Sequence, residues 1–126
     1  MLMQLQKELG LSLLFISHDI GVIRFISDRI GVMYLGTLVE ETDTEELFAN
    51  PLHPYTKGLF ASVPDPYIER DGFSELSGEH PVRTEDFKGC AFSTRCPNAT
   101  EKCRQEAPVF REVKAGHKVA CHMVEE

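Results

Sequence analysis

The N-terminal half of the chain alternates between helical and extended apolar patterns. Residues 1–9 carry leucines at helical spacing and Gly10 is a natural stop, which predicts the end of a helix. Residues 11–17 are nearly all apolar, as is typical of a strand buried on both faces. A second helical pattern follows, with one face formed by Ile20, Ile23, Ser27 and Ile30. A strand, a polar turn and a helix in succession indicate an α/β fold.

A hairpin and a short helix are predicted next. Residues 29–35 read as a strand, Gly36-Thr37 as a turn, and residues 38–40 as the partner strand. Hydroxyl and carboxylate side chains then favour a helix start at 42–46, and residues 47–49 carry the helix.

A further helix opens at His53-Pro54-Tyr55, because proline is favoured in the first helical turn. Pro64-Asp65-Pro66 is predicted to stop this helix. Residues 67–88 are polar and lack a sustained period, so they are interpreted as a linker. The chain is therefore divided into residues 1–66, a linker at 67–88, and a cysteine-rich, mostly irregular extension at 89–126.

Length and composition limit the classes of function that the chain can have. A chain of 126 residues is one domain, or a small domain with an appendage. Its net charge of −7 argues against a dedicated nucleic-acid binder. No apolar run reaches the ~20 residues of a membrane span, and the N-terminus lacks a signal-peptide pattern. We therefore expect a cytoplasmic protein, in which thiols stay reduced and metal binding is favoured over disulfides.

The candidate chemistry is concentrated in four cysteines: Cys90, Cys96, Cys103 and Cys121. The gaps between them are five, six and seventeen residues, whereas structural zinc sites usually hold cysteines in tight pairs. Wide gaps suit an iron–sulfur cluster better, because each sulfur approaches a different iron, and Cys96-Pro97 is a weak pointer to the same ligation. Zinc is the second choice, for which a histidine could replace a cysteine, and buried free thiols are the third. The candidate replacements His80, His117 and His122 are expected on the surface.

Three ordered stretches resemble one protein family. Residues 14–20 resemble the histidine switch of ABC transporter ATPases, and residues 27–40 resemble the strands that follow it. Residues 50–56 resemble the signature of the oligopeptide/dipeptide importer branch, and the cysteine tail is similar to the C-terminal extension of that branch. The resemblance covers nearly the whole chain.

The resemblance implies the C-terminal part of a P-loop ABC nucleotide-binding domain. It assigns His18 a catalytic role, hydrogen-bonding the terminal phosphate of ATP and steadying the attacking water. It also implies ATP with Mg²⁺ in the full-length parent and a [4Fe-4S] cluster on the four cysteines. The implied partners are a second ATPase subunit, membrane permease subunits on the inner face of the cell membrane and, indirectly, an extracytoplasmic peptide-binding protein.

The sequence contains no Gly-x-x-x-x-Gly-Lys-Ser/Thr phosphate loop, no LSGGQ-type signature and no apolar strand ending in Asp-Glu. We therefore expect a fragment that neither binds nor hydrolyses ATP alone. The alternative function is a non-enzymatic, metal-binding interaction module. Asp19 is interpreted as a helix-start residue, the His53-Pro54-Tyr55 segment as a structural joint, and the acidic residues at 40–46 as a solvated face.

Overall fold

The computed structural model describes residues 1–62 and 84–125. The helices in these ranges are α1 (Leu2–Leu9), α2 (Ile20–Ile26), α3 (Thr44–Ala49), α4 (Pro54–Ala61) and α5 (Glu101–Gln105). The strands are β1 (Arg29–Tyr34), β2 (Thr37–Asp43), β3 (Arg111–Lys114) and β4 (His117–Val119). They form one sheet in the order β1-β2-β4-β3, and every neighbouring pair is antiparallel. The described part is a mixed α/β structure with an antiparallel sheet, and it contains no phosphate loop.

The predicted hairpin is confirmed, with its turn one residue earlier than expected. Tyr34 pairs with Thr37, which leaves Leu35 and Gly36 as a two-residue loop. Both loop residues have positive φ, at 47° and 76°, as a type I′ turn requires. Glycine adopts this backbone freely, whereas Leu35 is held in it by the pairing on either side.

The core lies where the β1–β2 hairpin meets α3, α4 and the segment that carries the first three cysteines. Its buried members are Val32, Tyr34, Val39, Leu47, Phe60 and Phe92. The rings of Phe48 and Phe60 stack at 4.6 Å between centroids, which packs α3 against α4. Aromatic contacts of this kind add to the free energy gained by burying the rings.

The C-terminal strands extend the same sheet. β4 pairs with β2 through Glu40 opposite Val119 and Glu41 opposite Lys118. The expectation of a mostly irregular extension is thus corrected in part, because α5, β3 and β4 are regular elements. Residues 63–83 lie outside the described residues, and with them most of the predicted linker and the predicted Pro64-Asp65-Pro66 stop. The three-part division of the chain stays a prediction.

The prediction of a buried strand at 11–17 is wrong for this structure. These residues form no strand, and their side chains are exposed, among them Leu14 and Ile16. A strand needs a hydrogen-bonding neighbour, and no other segment of the described residues pairs with this one. The helices on either side are confirmed, with Gly10 ending α1 in the left-handed conformation. However, α2 ends at Ile26, so Ile30 belongs to β1 and not to the helical face.

Leu47 offers a direct test of this core, because its side chain has no exposed surface. Leu47→Ala should destabilise the chain by about 2–5 kcal/mol, the usual cost of a cavity where a buried leucine stood. Leu14→Ala is the matched control, since Leu14 is 92% exposed and should change stability by less than about 0.5 kcal/mol. Urea unfolding of both variants measures the difference. Equal effects would contradict the placement of the core.

Candidate functional site

His18 lies in a bend between the exposed segment 11–17 and the start of α2, and its side chain is exposed. The residues on either side shape this bend. The Oγ atom of Ser17 accepts a hydrogen bond from the backbone N–H of Asp19 at 3.0 Å. The Oδ1 atom of Asp19 accepts one from the backbone N–H of Val22 at 3.1 Å. Asp19 is therefore the N-cap of α2, which confirms its interpretation as a helix-start residue.

Cys90, Cys96 and Cys103 share one compact segment. The backbone N–H of Cys90 donates to the carbonyl of Cys103 at 2.7 Å, and that of Cys96 donates to the carbonyl of Phe92 at 2.9 Å. Gly89 allows this close approach, because a Cβ atom there would lie 2.4 Å from the carbonyl oxygen of Arg104. We call residues 89–105 the cysteine loop.

Phe92 anchors the cysteine loop on the hairpin and α4. Its side chain is almost fully buried. Its ring lies 5.3 Å from Tyr34 in a T-shaped arrangement, 5.5 Å from Tyr55 and 5.8 Å from the imidazole of His53, measured between centroids. These contacts fix the loop against the start of α4.

Cys121 reaches the site from the sheet. It follows β4, and the backbone N–H of Ala120 donates to the carbonyl of Val39 on β2 at 2.9 Å. Cys121 and Cys103 are buried, whereas Cys90 and Cys96 are half-buried. All four thiols are free.

The four cysteines lie near enough to one another to influence the pKa values of Cys90 and Cys96. Burial raises the pKa of Cys90, and the nearby Cys103, Cys121 and Cys96 raise it further. Burial likewise raises the pKa of Cys96, with additional contributions from Cys121 and Cys103. We call this group the cysteine tetrad. Among residues 1–62 and 84–125, however, no three His, Cys, Asp or Glu side chains are grouped so as to hold a metal ion. The predicted inorganic centre therefore gains no support from side-chain geometry.

Two of the surface predictions are wrong, because Glu40 and His117 form a buried pair. Glu40 on β2 and His117 on β4 have no exposed side-chain surface, and the Nε2 atom of His117 lies 2.7 Å from the Oε1 atom of Glu40. The expectation that Glu40 belongs to a solvated face is wrong, as is the expectation of a surface position for His117. The adjacent pairing of β2 with β4 turns both side chains inward. His122 is half-buried and bonds the carbonyl of Glu106, and His80 lies outside the described residues.

The His53-Pro54-Tyr55 segment joins these parts. Pro54 is the first residue of α4, and the Nδ1 atom of His53 accepts a hydrogen bond from the backbone N–H of Tyr55 at 3.0 Å. Nδ1 therefore carries no proton, and the backbone of Ala120 lies near enough to the imidazole to act on its pKa. Burial lowers the pKa of His53 to about 4, although the charge of Glu40 and the backbone of Ala120 act in the opposite direction. The interpretation of this segment as a structural joint is confirmed.

The comparisons with known proteins show the family of the chain. Residues 39–103 match the family described as "Oligopeptide/dipeptide transporter, C-terminal region". The chain belongs to this family. The matched range begins on β2 next to Glu40 and ends at Cys103, so it spans the His53-Pro54-Tyr55 segment and most of the cysteine loop.

Individual relatives cover nearly all of this chain. It is 48% identical to the oligopeptide transport ATP-binding protein AppF of Bacillus subtilis, over 95% of this chain and 37% of the relative. It is 48% identical to the oligopeptide transport ATP-binding protein OppF of Salmonella typhimurium, over 99% of this chain and 38% of the relative. It is 45% identical to the dipeptide transport ATP-binding protein DppF of Haemophilus influenzae, over 99% of this chain and 38% of the relative. The chain thus spans less than two fifths of the length of these family members.

Sequence reasoning missed the buried residues that organise the site. Nothing in its neighbourhood marks Glu40 as buried, because it stands in an acidic run between 40 and 46. The proline after His53 predicts a helix start. It gives no indication that the imidazole of His53 interacts with the backbone of Ala120. Phe92, two residues after Cys90, is a large apolar residue in a mostly polar segment, and this could have identified it as an anchor.

The neutral state of His53 predicts an acid-sensitive fold. Its pKa is about 4 in the folded chain, against about 6.5 for a histidine in an unstructured peptide, so the unfolded chain takes up the proton first. The stability that depends on neutral His53 is complete above pH ~6.5 and is lost as the pH falls towards ~4. At pH 5 this loss should be about 2 kcal/mol relative to pH 7.

Urea unfolding at both pH values measures this loss. His53→Asn is the control, because asparagine also caps helices and does not titrate. Its stability should fall less between pH 7 and pH 5 than that of the unchanged chain. The same fall in both proteins would show that other groups cause the acid sensitivity.

Proposed function

We propose that the chain is part of the ATP-hydrolysing subunit of an ABC-type importer of oligopeptides or dipeptides. The observation that carries the proposal is the family match over residues 39–103, together with relatives that are named as transport ATP-binding proteins. The full subunit would couple ATP binding and hydrolysis to peptide uptake. The chain would not hydrolyse ATP alone, since its sequence holds no phosphate loop to cradle the phosphates.

His18 is the proposed catalytic residue of that subunit. It is exposed, and the caps formed by Ser17 and Asp19 on its two sides define the backbone that carries it. Phosphoryl transfer depends on positioning and charge stabilisation more than on covalent chemistry. An imidazole held at the γ-phosphate of ATP would orient the attacking water, while the phosphate loop of the full subunit would supply most of the affinity.

The proposed partners follow from membership of the family. A second ATPase subunit would pair with this one, and permease subunits would carry the peptide through the membrane. In the described ranges, no helix is long and apolar enough to cross a membrane. We place the subunit on the cytoplasmic face of the cell membrane, attached through the permease and supplied by an extracytoplasmic peptide-binding protein.

The cysteine tetrad is the proposed site of a [4Fe-4S] cluster, with zinc as the alternative. The supporting observation is the convergence of four free thiols from two parts of the chain. Thiolate is the ligand that iron–sulfur clusters use. Because burial raises the pKa of Cys90 and Cys96, their thiols carry protons that the centre must displace on binding. The other candidate function, a non-enzymatic metal-binding module, is disfavoured by the names of the relatives.

The catalytic proposal is tested on the full-length subunit with His18→Ala. ATP turnover should fall at least about 100-fold while ATP affinity stays within a few-fold, because the imidazole acts mainly in the transition state. Turnover and ATP binding are measured on one preparation together with its melting temperature. If His18 has only a structural role at the helix start, the substitution would instead lower the melting temperature and leave turnover intact. That result would show that His18 is not catalytic.

The cluster proposal is tested on the 126-residue chain purified without oxygen. Iron and acid-labile sulfide should be present in equal amounts, and Cys96→Ser should reduce both and make the C-terminal third easier to digest with protease. Ser93→Ala is a control within the same loop, since Ser93 is not a ligand candidate. Stoichiometric zinc without iron would favour the alternative, and the absence of either metal would refute both.

A further inference from the structure

The cysteine tetrad is assembled from two pieces of backbone that are far apart in the sequence. Cys90, Cys96 and Cys103 belong to the cysteine loop, where backbone hydrogen bonds hold them together. Seventeen residues separate Cys121 from Cys103, and Cys121 lies two residues after the end of β4. The tetrad therefore exists only if something fixes the end of β4 against the cysteine loop.

His53 contacts both pieces. Its imidazole lies near the backbone of Ala120, the residue before Cys121, which acts on the pKa of the ring. The same ring lies 5.8 Å from the ring of Phe92, whose carbonyl accepts the backbone N–H of Cys96. With almost no exposed surface, His53 is packed between the two pieces.

Glu40 fixes the backbone of His53. Its Oε2 atom accepts the backbone N–H of His53 at 3.0 Å, and its Oε1 atom accepts that of Leu52 at 2.8 Å. Oε1 also lies 2.7 Å from the Nε2 atom of His117, four residues before Cys121. Two acceptor oxygens are needed for this set of donors, and among side chains only a carboxylate supplies them. Glu40 thus joins the start of α4 to β4.

We propose that His53, held by Glu40, is the positioning residue that brings Cys121 to the other three cysteines. The proposal deepens the proposed cysteine site, on which it rests for its function, but the arrangement it describes exists in the chain without any metal. It gives the His53-Pro54-Tyr55 segment a role beyond starting a helix.

The alternative role of His53 is to cap α4, and one substitution separates the two roles. Asparagine is a good N-cap, so His53→Asn keeps an acceptor for the backbone N–H of Tyr55. The shorter side chain does not reach Ala120. Similarly, Glu40→Gln keeps the size of the side chain but replaces one acceptor oxygen with an amide donor that faces a backbone N–H.

The test is the alkylation rate of each cysteine in the full 126-residue chain, reduced and treated with chelator. Iodoacetamide labels thiols as they become accessible, so the labelling rate of a buried cysteine reports local opening. Trypsin cleaves after lysine and arginine, and these residues separate the four cysteines into four peptides that mass spectrometry distinguishes. Cys103 is the internal reference, because it is buried on α5 and makes no bond to His53 or Glu40.

In His53→Asn and Glu40→Gln, Cys121 should be alkylated about tenfold faster relative to Cys103, as expected when a buried hydrogen bond is lost or a buried group is left unsatisfied. Glu41→Gln is the matched control. Glu41 is the next residue on β2 and undergoes the same chemical change, but it pairs with Arg29 at the surface. Its Cys121 rate should stay within about twofold of the unchanged chain.

Three results would overturn the proposal. An unchanged Cys121 rate in His53→Asn would leave His53 a helix cap only. Equal effects of Glu40→Gln and Glu41→Gln would show that the buried carboxylate has no special role. Equal acceleration of all four cysteines would mean that the network stabilises the whole chain and does not position Cys121. Failure to bind iron would refute the cluster and leave this measurement unaffected, so the two proposals fail separately.

Discussion

The buried carboxylate of Glu40 is the constraint on which the described structure depends. It has no exposed surface, so the hydration it loses must be replaced inside the protein. The replacement comes from the backbone N–H groups of Leu52 and His53 and from the imidazole of His117. Removing one partner of a buried ionic group typically costs about 3–5 kcal/mol, because the remaining group is left uncompensated. β2, the approach to α4 and β4 therefore form one unit.

Aromatic packing completes this unit on the other side of His53. Phe92 packs against both Tyr34 and Tyr55, whose own rings lie 4.7 Å apart between centroids, and this contact anchors the cysteine loop. The hydrogen bonds to Glu40 require defined directions between donor and acceptor. The aromatic rings contribute buried apolar area and tolerate a wider range of orientations. At the surface, Lys114 on β3 pairs with Glu46 on α3, and Arg29 pairs with Asp43 across the hairpin, but exposed pairs contribute little stability.

The segment before β1 has a different character. α1 has no buried residue, and the apolar run at 11–17 is exposed, although its composition is that of a sheet interior. The relatives extend well beyond the part that this chain matches. His18 directly follows the exposed run at 11–17, so the proposed catalytic residue lies outside the packed unit that carries the cysteines. The two proposed sites therefore differ in where their residues lie: His18 would act together with other parts of a subunit, whereas all four cysteines lie within the described residues.

Local rules determined much of the chain. Gly10 ends α1, Asp19 caps α2, the hairpin turns within one residue of the predicted Gly36-Thr37, and Pro54 starts α4, because caps, turns and proline act over a few residues. The ordered motifs also identified the family. Only the tertiary structure decided that Glu40 and His117 are buried, that His53 is buried against Phe92, and that residues 11–17 have no strand partner among the described residues. Each of these depends on what a distant segment brings alongside, and Glu40 and His117, which meet across 77 positions of sequence, show no sign of the contact in their own neighbourhoods.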